Sequence, residues 1–110
     1  MPVIEINRDN YESELLKSEL PAVIDFWGPS CAPCMAMMPK YHELADSPEY
    51  SGKLKFCSVN TTANRRVAVS CRVMSNPTFL FYRDGHEVAR LSGGKATIEA
   101  IRAKVREFGI

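Results

Sequence analysis

Two cysteines, Cys31 and Cys34, stand in a C-x-x-C spacing within "DFWGPSCAPCMAMMP", and a carboxylate, Asp25, lies six residues upstream of the first. A dithiol of this spacing can exchange with disulfides, the thiolate being the attacking species. It can also supply half of a metal site, or be no more than two small side chains in a core. A zinc or iron–sulfur site needs two further ligands. Cys57 and Cys71 are the other cysteines, but they form no second C-x-x-C knuckle, and His42 follows Cys34 by eight residues, outside usual ligand spacing. No metal site is therefore expected.

The flanking pattern argues for redox chemistry. "AVIDFW" is an apolar run broken only by Asp25, as in a strand buried on both faces. From about Pro33 to Ser47, Cys34, Met35, Met38, Tyr41, Leu44 and Ala45 recur at helical spacing. Cys31 is thus expected at the start of a helix, where unpaired amides and the helix dipole stabilise a thiolate. This makes Cys31 the attacking sulfur. Cys34, one turn on and more buried, is the resolving one. Pro33 suits a first helical turn, since its missing N–H would be unpaired there. Pro39, inside the helix, should bend it. Asp25 is costly to bury ionised, so a raised pKa is expected. If it faces the cysteines, it can take the Cys34 proton.

The rest of the chain supplies a frame for this site. "PVIEI" reads as a strand. "RDNYESELLKSEL" reads as a helix with Asp9 as cap, Tyr11, Leu15 and Leu16 on one face, and Pro21 as its stop. "LKFCSVN" is a strand and "TANRRVAVSCRV" a short helix followed by a loop. "TFLFYRDGHEVARL" is two strands joined at Asp84-Gly85. "TIEAIRAKVREF" is an amphipathic helix with Ile98, Ile101, Val105 and Phe108 on one face. The order β-α-β-α-β-α-β-β-α implies an α/β fold. Its mixed sheet has helices on both faces, parallel pairs at the centre and an antiparallel hairpin.

The 110 residues fit one domain spanning 1–110, with 45% apolar and 25% charged side chains. Formal net charge is +1, which leaves no electrostatic footprint for nucleic acid. No apolar run approaches the ~20 residues of a membrane span. "MPVIEINRDNYE" lacks the n- and h-regions of a secretory leader, and four cysteines are too few for a disulfide scaffold, so a cytoplasmic setting is expected. "SGGKAT" is no phosphate loop: Ala89 holds the first glycine position and Ala96 the Ser/Thr position. Cys57 is expected to be a buried core thiol. Cys71 is read as either passive or regulatory. His42 and His86 are read as surface residues, and Met35, Met37 and Met38 as core and flexible rim, with some available as adaptable contacts for protein targets.

The chain resembles the thioredoxin family. The likeness rests on "DFW…CxPC…P", then "NPTFLFYRDG", then "SGG" before the last helix, over essentially the whole chain. The resemblance implies the thioredoxin fold and reduction of disulfides in protein substrates through a Cys31–Cys34 disulfide. It implies further that no bound cofactor is needed and that electrons come from a flavin-dependent thioredoxin reductase; a monomer is expected. It also implies that Pro77 is a cis-proline facing the dithiol, that the Asn76 backbone pairs with an extended substrate segment, that Gly93 permits close approach, and that Trp27 packs under the site. Family members typically read Trp-Cys-Gly-Pro-Cys-Lys where this chain has Ser30, Cys31, Ala32, Pro33, Cys34 and Met35. Ser58 stands where many relatives carry a buried lysine near the aspartate, and Asn76 is polar where a branched residue is common. The alternatives implied are a disulfide isomerase-like or specialised variant, or a non-catalytic binding module. Retention of both cysteines, Asp25 and Pro77 argues against the last.

Overall fold

A computed structural model describes residues 3–107. Pro2 and Phe108, which the sequence assigns to the first strand and the last helix face, lie outside the described residues. The elements follow as β1 (Val3–Glu5), α1 (Glu12–Leu16), β2 (Ala22–Trp27), α2 (Ala32–Ala45), β3 (Lys55–Asn60), α3 (Arg65–Ser70), β4 (Thr78–Arg83), β5 (His86–Ser92) and α4 (Ile98–Glu107). The sheet order is β1-β3-β2-β4-β5. Strand β2 is central, parallel to β3 and antiparallel to β4, so the middle of the sheet is itself mixed rather than purely parallel.

Because β2 is buried on both faces, its side chains alternate between two cores. Ala22, Ile24 and Phe26 pack with Leu15, Val67 and Ala68, beneath α1 and α3. Val23 packs with Tyr41, Leu44, Ile101 and Val105, beneath α2 and α4. Burial of apolar surface on this scale, at about 25 cal/mol per Å2, is the main force holding the layers together. Asp25 follows Val23 by two residues and so belongs to the face covered by α2.

The first helix differs from expectation. Asp9 does not cap it: the Asn7 Oδ1 accepts the Asp9 and Asn10 amides at 2.8 and 3.1 Å, and Asn10 Oδ1 accepts the Asn7 amide at 2.8 Å. Asparagine side chains compete well for local backbone donors and hold this segment in turns. The helix is then a short wide coil, in which the Lys17 amide bonds the Glu12 carbonyl. It stops well before Pro21, and Leu16 is exposed rather than facing the core with Leu15. Met35 likewise points outward, 44% exposed. Met37 packs against the core in its place.

The hairpin matches its dipeptide. Asp84 and Gly85 have φ of 54° and 78°, the left-handed pair that fits a two-residue turn between twisted strands. Gly85 is fixed for a second reason: a Cβ there would lie 2.3 Å from the Leu16 carbonyl oxygen. The turn thereby seats against the end of α1.

Candidate active site

Strand β2 ends at Trp27, and the chain turns through Gly28, Pro29 and Ser30 into α2. The Cys31 amide bonds the Gly28 carbonyl at 3.1 Å, closing that turn. Cys31 is the extended N-cap residue of α2, with Ala32 and Pro33 opening the helix. Its Sγ accepts the Cys34 amide at 3.2 Å. A cap position normally filled by an oxygen acceptor is thus filled by sulfur, which places the helix's unpaired donors on the atom that must carry negative charge. Cys31 and Cys34 are joined as a disulfide. Cys31 is partly exposed and Cys34 is buried. Ser30, Ala32 and Pro33 are exposed around them. Pro39 lies inside α2, where it removes the bond the Met35 carbonyl would have received.

Asp25 lies on the α2 face and is buried, with its Oδ1 making no hydrogen bond. Burial alone pushes its carboxyl up from 3.8 to about 7. Desolvation acts on the charged form, and no cation among the causes offsets it. Its register neighbours are Ser58 on β3 and Phe79 on β4. Ser58 therefore occupies the place from which a cationic side chain would reach the carboxylate.

Tyr41, fully buried on α2, extends its hydroxyl between the strands. The oxygen lies 3.0 Å from the Val23 carbonyl and 2.8 Å from the Cys57 carbonyl, to which it donates. Its own pKa is well above the usual tyrosine value, first through burial and then through the nearby Asp25 charge. Tyr41 is read from the sequence as an apolar helix residue only; nothing in the periodicity reveals where the hydroxyl goes.

The loop that carries Pro77 is tied down from three sides. The Asn76–Pro77 peptide bond is cis and Pro77 is buried. The Pro77 carbonyl accepts the Gly93 amide at 3.1 Å. Thr78 Oγ1 donates to the Ser75 carbonyl at 2.7 Å. Asn76 Nδ2 donates to Thr61 Oγ1 at 3.0 Å, and that hydroxyl donates in turn to the Trp27 carbonyl at 3.0 Å. Asn76 Nδ2 also lies 3.0 Å from where a Cβ on Gly28 would sit. The turn before Cys31 and the loop of Pro77 are thus in contact through Gly28, Asn76 and Thr61. Thr61, a link in this chain, carries no signal in the sequence. Gly93 has φ of 58° and open space around its Cβ direction. Trp27 is half-buried at the end of β2.

The other cysteines are elsewhere. Cys57 is buried on the opposite sheet face, and burial pushes its thiol up to about 12, which leaves it protonated and unreactive. Cys71 is buried between two phenols, its Sγ 3.5 Å from Tyr11 Oη and 3.8 Å from Tyr82 Oη. Its carbonyl accepts from Arg90 at 2.8 Å. His42 and His86 are exposed. Among the described residues, no group of three or more His, Cys, Asp or Glu side chains could hold a metal ion. No helix among them is long and apolar enough to cross a membrane.

Comparison with known proteins agrees with this geometry. The family described as Thioredoxin matches residues 2–107. A thioredoxin of Peptoclostridium acidaminophilum is 35% identical over 103 residues, covering 94% of this chain and 92% of that protein. Thioredoxin C-2 of Corynebacterium nephridii is 33% identical over 106 residues, covering 96% and 92%. The crystal structure of a Malassezia sympodialis thioredoxin has the same fold, with a TM-score of 0.86 over 98% of this chain and 91% of that one at 24% identity.

Proposed function

Given that the chain belongs to the thioredoxin family, we propose that this thiol–disulfide oxidoreductase reduces protein disulfides with Cys31 attacking, Cys34 resolving and Asp25 managing the proton. The observation that carries the assignment is the Cys31 sulfur at the cap of α2, accepting the Cys34 amide at 3.2 Å, on the face of the sheet where Asp25 is buried with its Oδ1 unbonded.

In the reduced protein, the Cys31 thiolate attacks one sulfur of a substrate disulfide. The other substrate sulfur leaves and is protonated, and a mixed disulfide forms on Cys31. Cys34 then gives its proton to the Asp25 carboxylate and attacks the Cys31 sulfur. The second substrate sulfur leaves as a thiolate and takes up a proton. Two electrons have passed to the substrate, and the Cys31–Cys34 disulfide remains. A carboxyl near 7 suits both directions of this transfer, since a base works best close to the ambient pH.

The Asn76 backbone beside Pro77 offers pairing groups to an extended substrate segment, and the open space at Gly93 admits its close approach. Ser30, Ala32 and Trp27 complete the surface around the sulfurs. A flavin-dependent thioredoxin reductase fits as the electron donor, with the protein acting as a cytoplasmic monomer of one domain. No step needs a bound cofactor, because the two sulfurs carry both electrons.

Insulin reduction with dithiothreitol or a reductase as donor tests the assignment. Turnover in the wild type and none in Cys31→Ser supports it; undiminished turnover in Cys31→Ser refutes it. Ser30 and Ala32 beside the sulfurs, and Ser58 beside Asp25, keep an isomerase-like poise in view. Equilibration against glutathione separates a reductant near about −270 mV from an isomerase near about −180 mV.

A further inference from the structure

Beside α3 the chain gathers cations that the exchange mechanism does not use. Arg8, from the loop after β1, and Arg65 and Arg66, from the start of α3, line one cleft of about 260 Å3 with Thr62 and Asn64. All three arginines are exposed, and among the described residues none of them is in an ion pair. A second cleft, of about 400 Å3, shares Thr62 and Arg65 with the first and runs past Val69 and Met74 to Asn76. Neither cleft has an Asp or Glu in its lining. Val69 and Met74 are 67% and 96% exposed, two of the five large apolar side chains left in solvent among the described residues.

The second cleft ends at Thr61 and Asn76, which touch the turn that carries Cys31. Asn76 belongs to the Pro77 loop, is bonded to Thr61, and abuts Gly28, whose carbonyl holds the Cys31 amide. Three unpaired guanidiniums in a chain of net charge +1 make a local positive field that the whole-chain charge conceals. Guanidinium forks match carboxylates in shape as well as charge. An exposed methionine adapts to varied apolar partners.

We propose that the double cleft receives an acidic segment of the protein whose disulfide is exchanged, its carboxylates on Arg8, Arg65 and Arg66 and its apolar side chains on Val69 and Met74. This rests on the oxidoreductase reading and extends it by naming the class of partner: disulfide proteins with an acidic stretch flanking the reactive cystine.

The test uses three synthetic cystine peptides that differ only in three flanking residues, all Glu, all Gln or all Lys, with bis(2-hydroxyethyl) disulfide as a neutral reference. At low ionic strength the wild type should reduce the Glu peptide with kcat/KM about tenfold above the Gln peptide, and the Lys peptide more slowly still. The preference should fade above about 0.1 M salt, where the screening length is about 10 Å. In the triple variant Arg8→Ala, Arg65→Ala, Arg66→Ala the Glu/Gln ratio should fall to about one. Equal rates on all three peptides in the wild type overturn the proposal, as does a Glu preference that survives in the variant. So does loss of the preference to millimolar inorganic phosphate at constant ionic strength, which would mark a small-anion site. The wild-type discrimination decides the matter even if the variant does not fold. Failure of the wild type on the neutral disulfide would sink the oxidoreductase reading itself, separately from the cleft.

Discussion

Asp25 and Ser58 are register partners on the adjacent parallel strands β2 and β3, and both belong to the sheet face that α2 covers. A buried carboxyl thus has a small neutral neighbour at the point closest to it across the ladder. Its pKa near 7 is the result of burial with no cation to oppose it.

Replacing Ser58 with lysine should therefore bring the Asp25 pKa down toward the usual carboxylate range, by about 1 to 3. Carbonyl NMR titration of Asp25 in the two proteins measures this. A wild-type value near 4, or a value unmoved in Ser58→Lys, would show that desolvation is not what sets it.

The same carboxyl makes stability depend on pH with a definite sign. The unfolded chain releases the Asp25 proton near 3.8, and the folded one near 7. The carboxyl's contribution is therefore fully present below the unfolded value and lost as pH rises through 7. At about 1.4 kcal/mol for each pKa unit, the ionised form costs the fold about 4 kcal/mol above pH 8. Asp25→Asn should accordingly be more stable than the wild type at pH 8 and gain little at pH 3.5, as urea titrations at the two values will show. It should also lower the rate of mixed-disulfide resolution by about 10²-fold or more near neutrality and flatten its rise with pH. Equal pH profiles in the two proteins would remove Asp25 from the proton transfer.

Tyr41 gives a test of the core rather than of the chemistry. Its hydroxyl donates its one proton to the Cys57 carbonyl at 2.8 Å and lies 3.0 Å from the Val23 carbonyl, in a region without solvent. Tyr41→Phe keeps the ring and removes the one donor these two carbonyls share, at a cost of about 1 to 3 kcal/mol. The urea midpoint should fall with an unchanged slope. An unaltered midpoint would mean that the two carbonyls are fully served by the strand ladder.

How far the sequence discloses this site depends on the kind of signal. The step from an apolar run through Cys31 to a helical period is local, and so is Asp84-Gly85; both elements lie where their residues indicate. The direction of Asp25 was not readable, because a strand buried on both faces shows no alternation of polar and apolar residues. Ser58 as its neighbour is implied by the family resemblance but by no periodicity of this chain, because it depends on the register of two strands far apart in sequence. The first helix is shorter than its sequence suggests, since Asp9 is of a residue type that caps helices, while the Asn7 and Asn10 side chains hold residues 7–10 in turns and no side chain caps the helix. Arg8 and the Arg65–Arg66 pair meet through the fold alone, and a net charge of +1 hides them.

The division of labour between the two sulfurs is the centre of the account, and a trapping experiment addresses it directly. Cys34→Ser, reduced and mixed with a protein disulfide substrate, should hold the substrate as a stable mixed disulfide that peptide mass spectrometry assigns to Cys31. Cys31→Ser should trap little. An adduct on Cys57 or Cys71, or one that accumulates on Cys34 in Cys31→Ser while Cys34→Ser stays free, would contradict it.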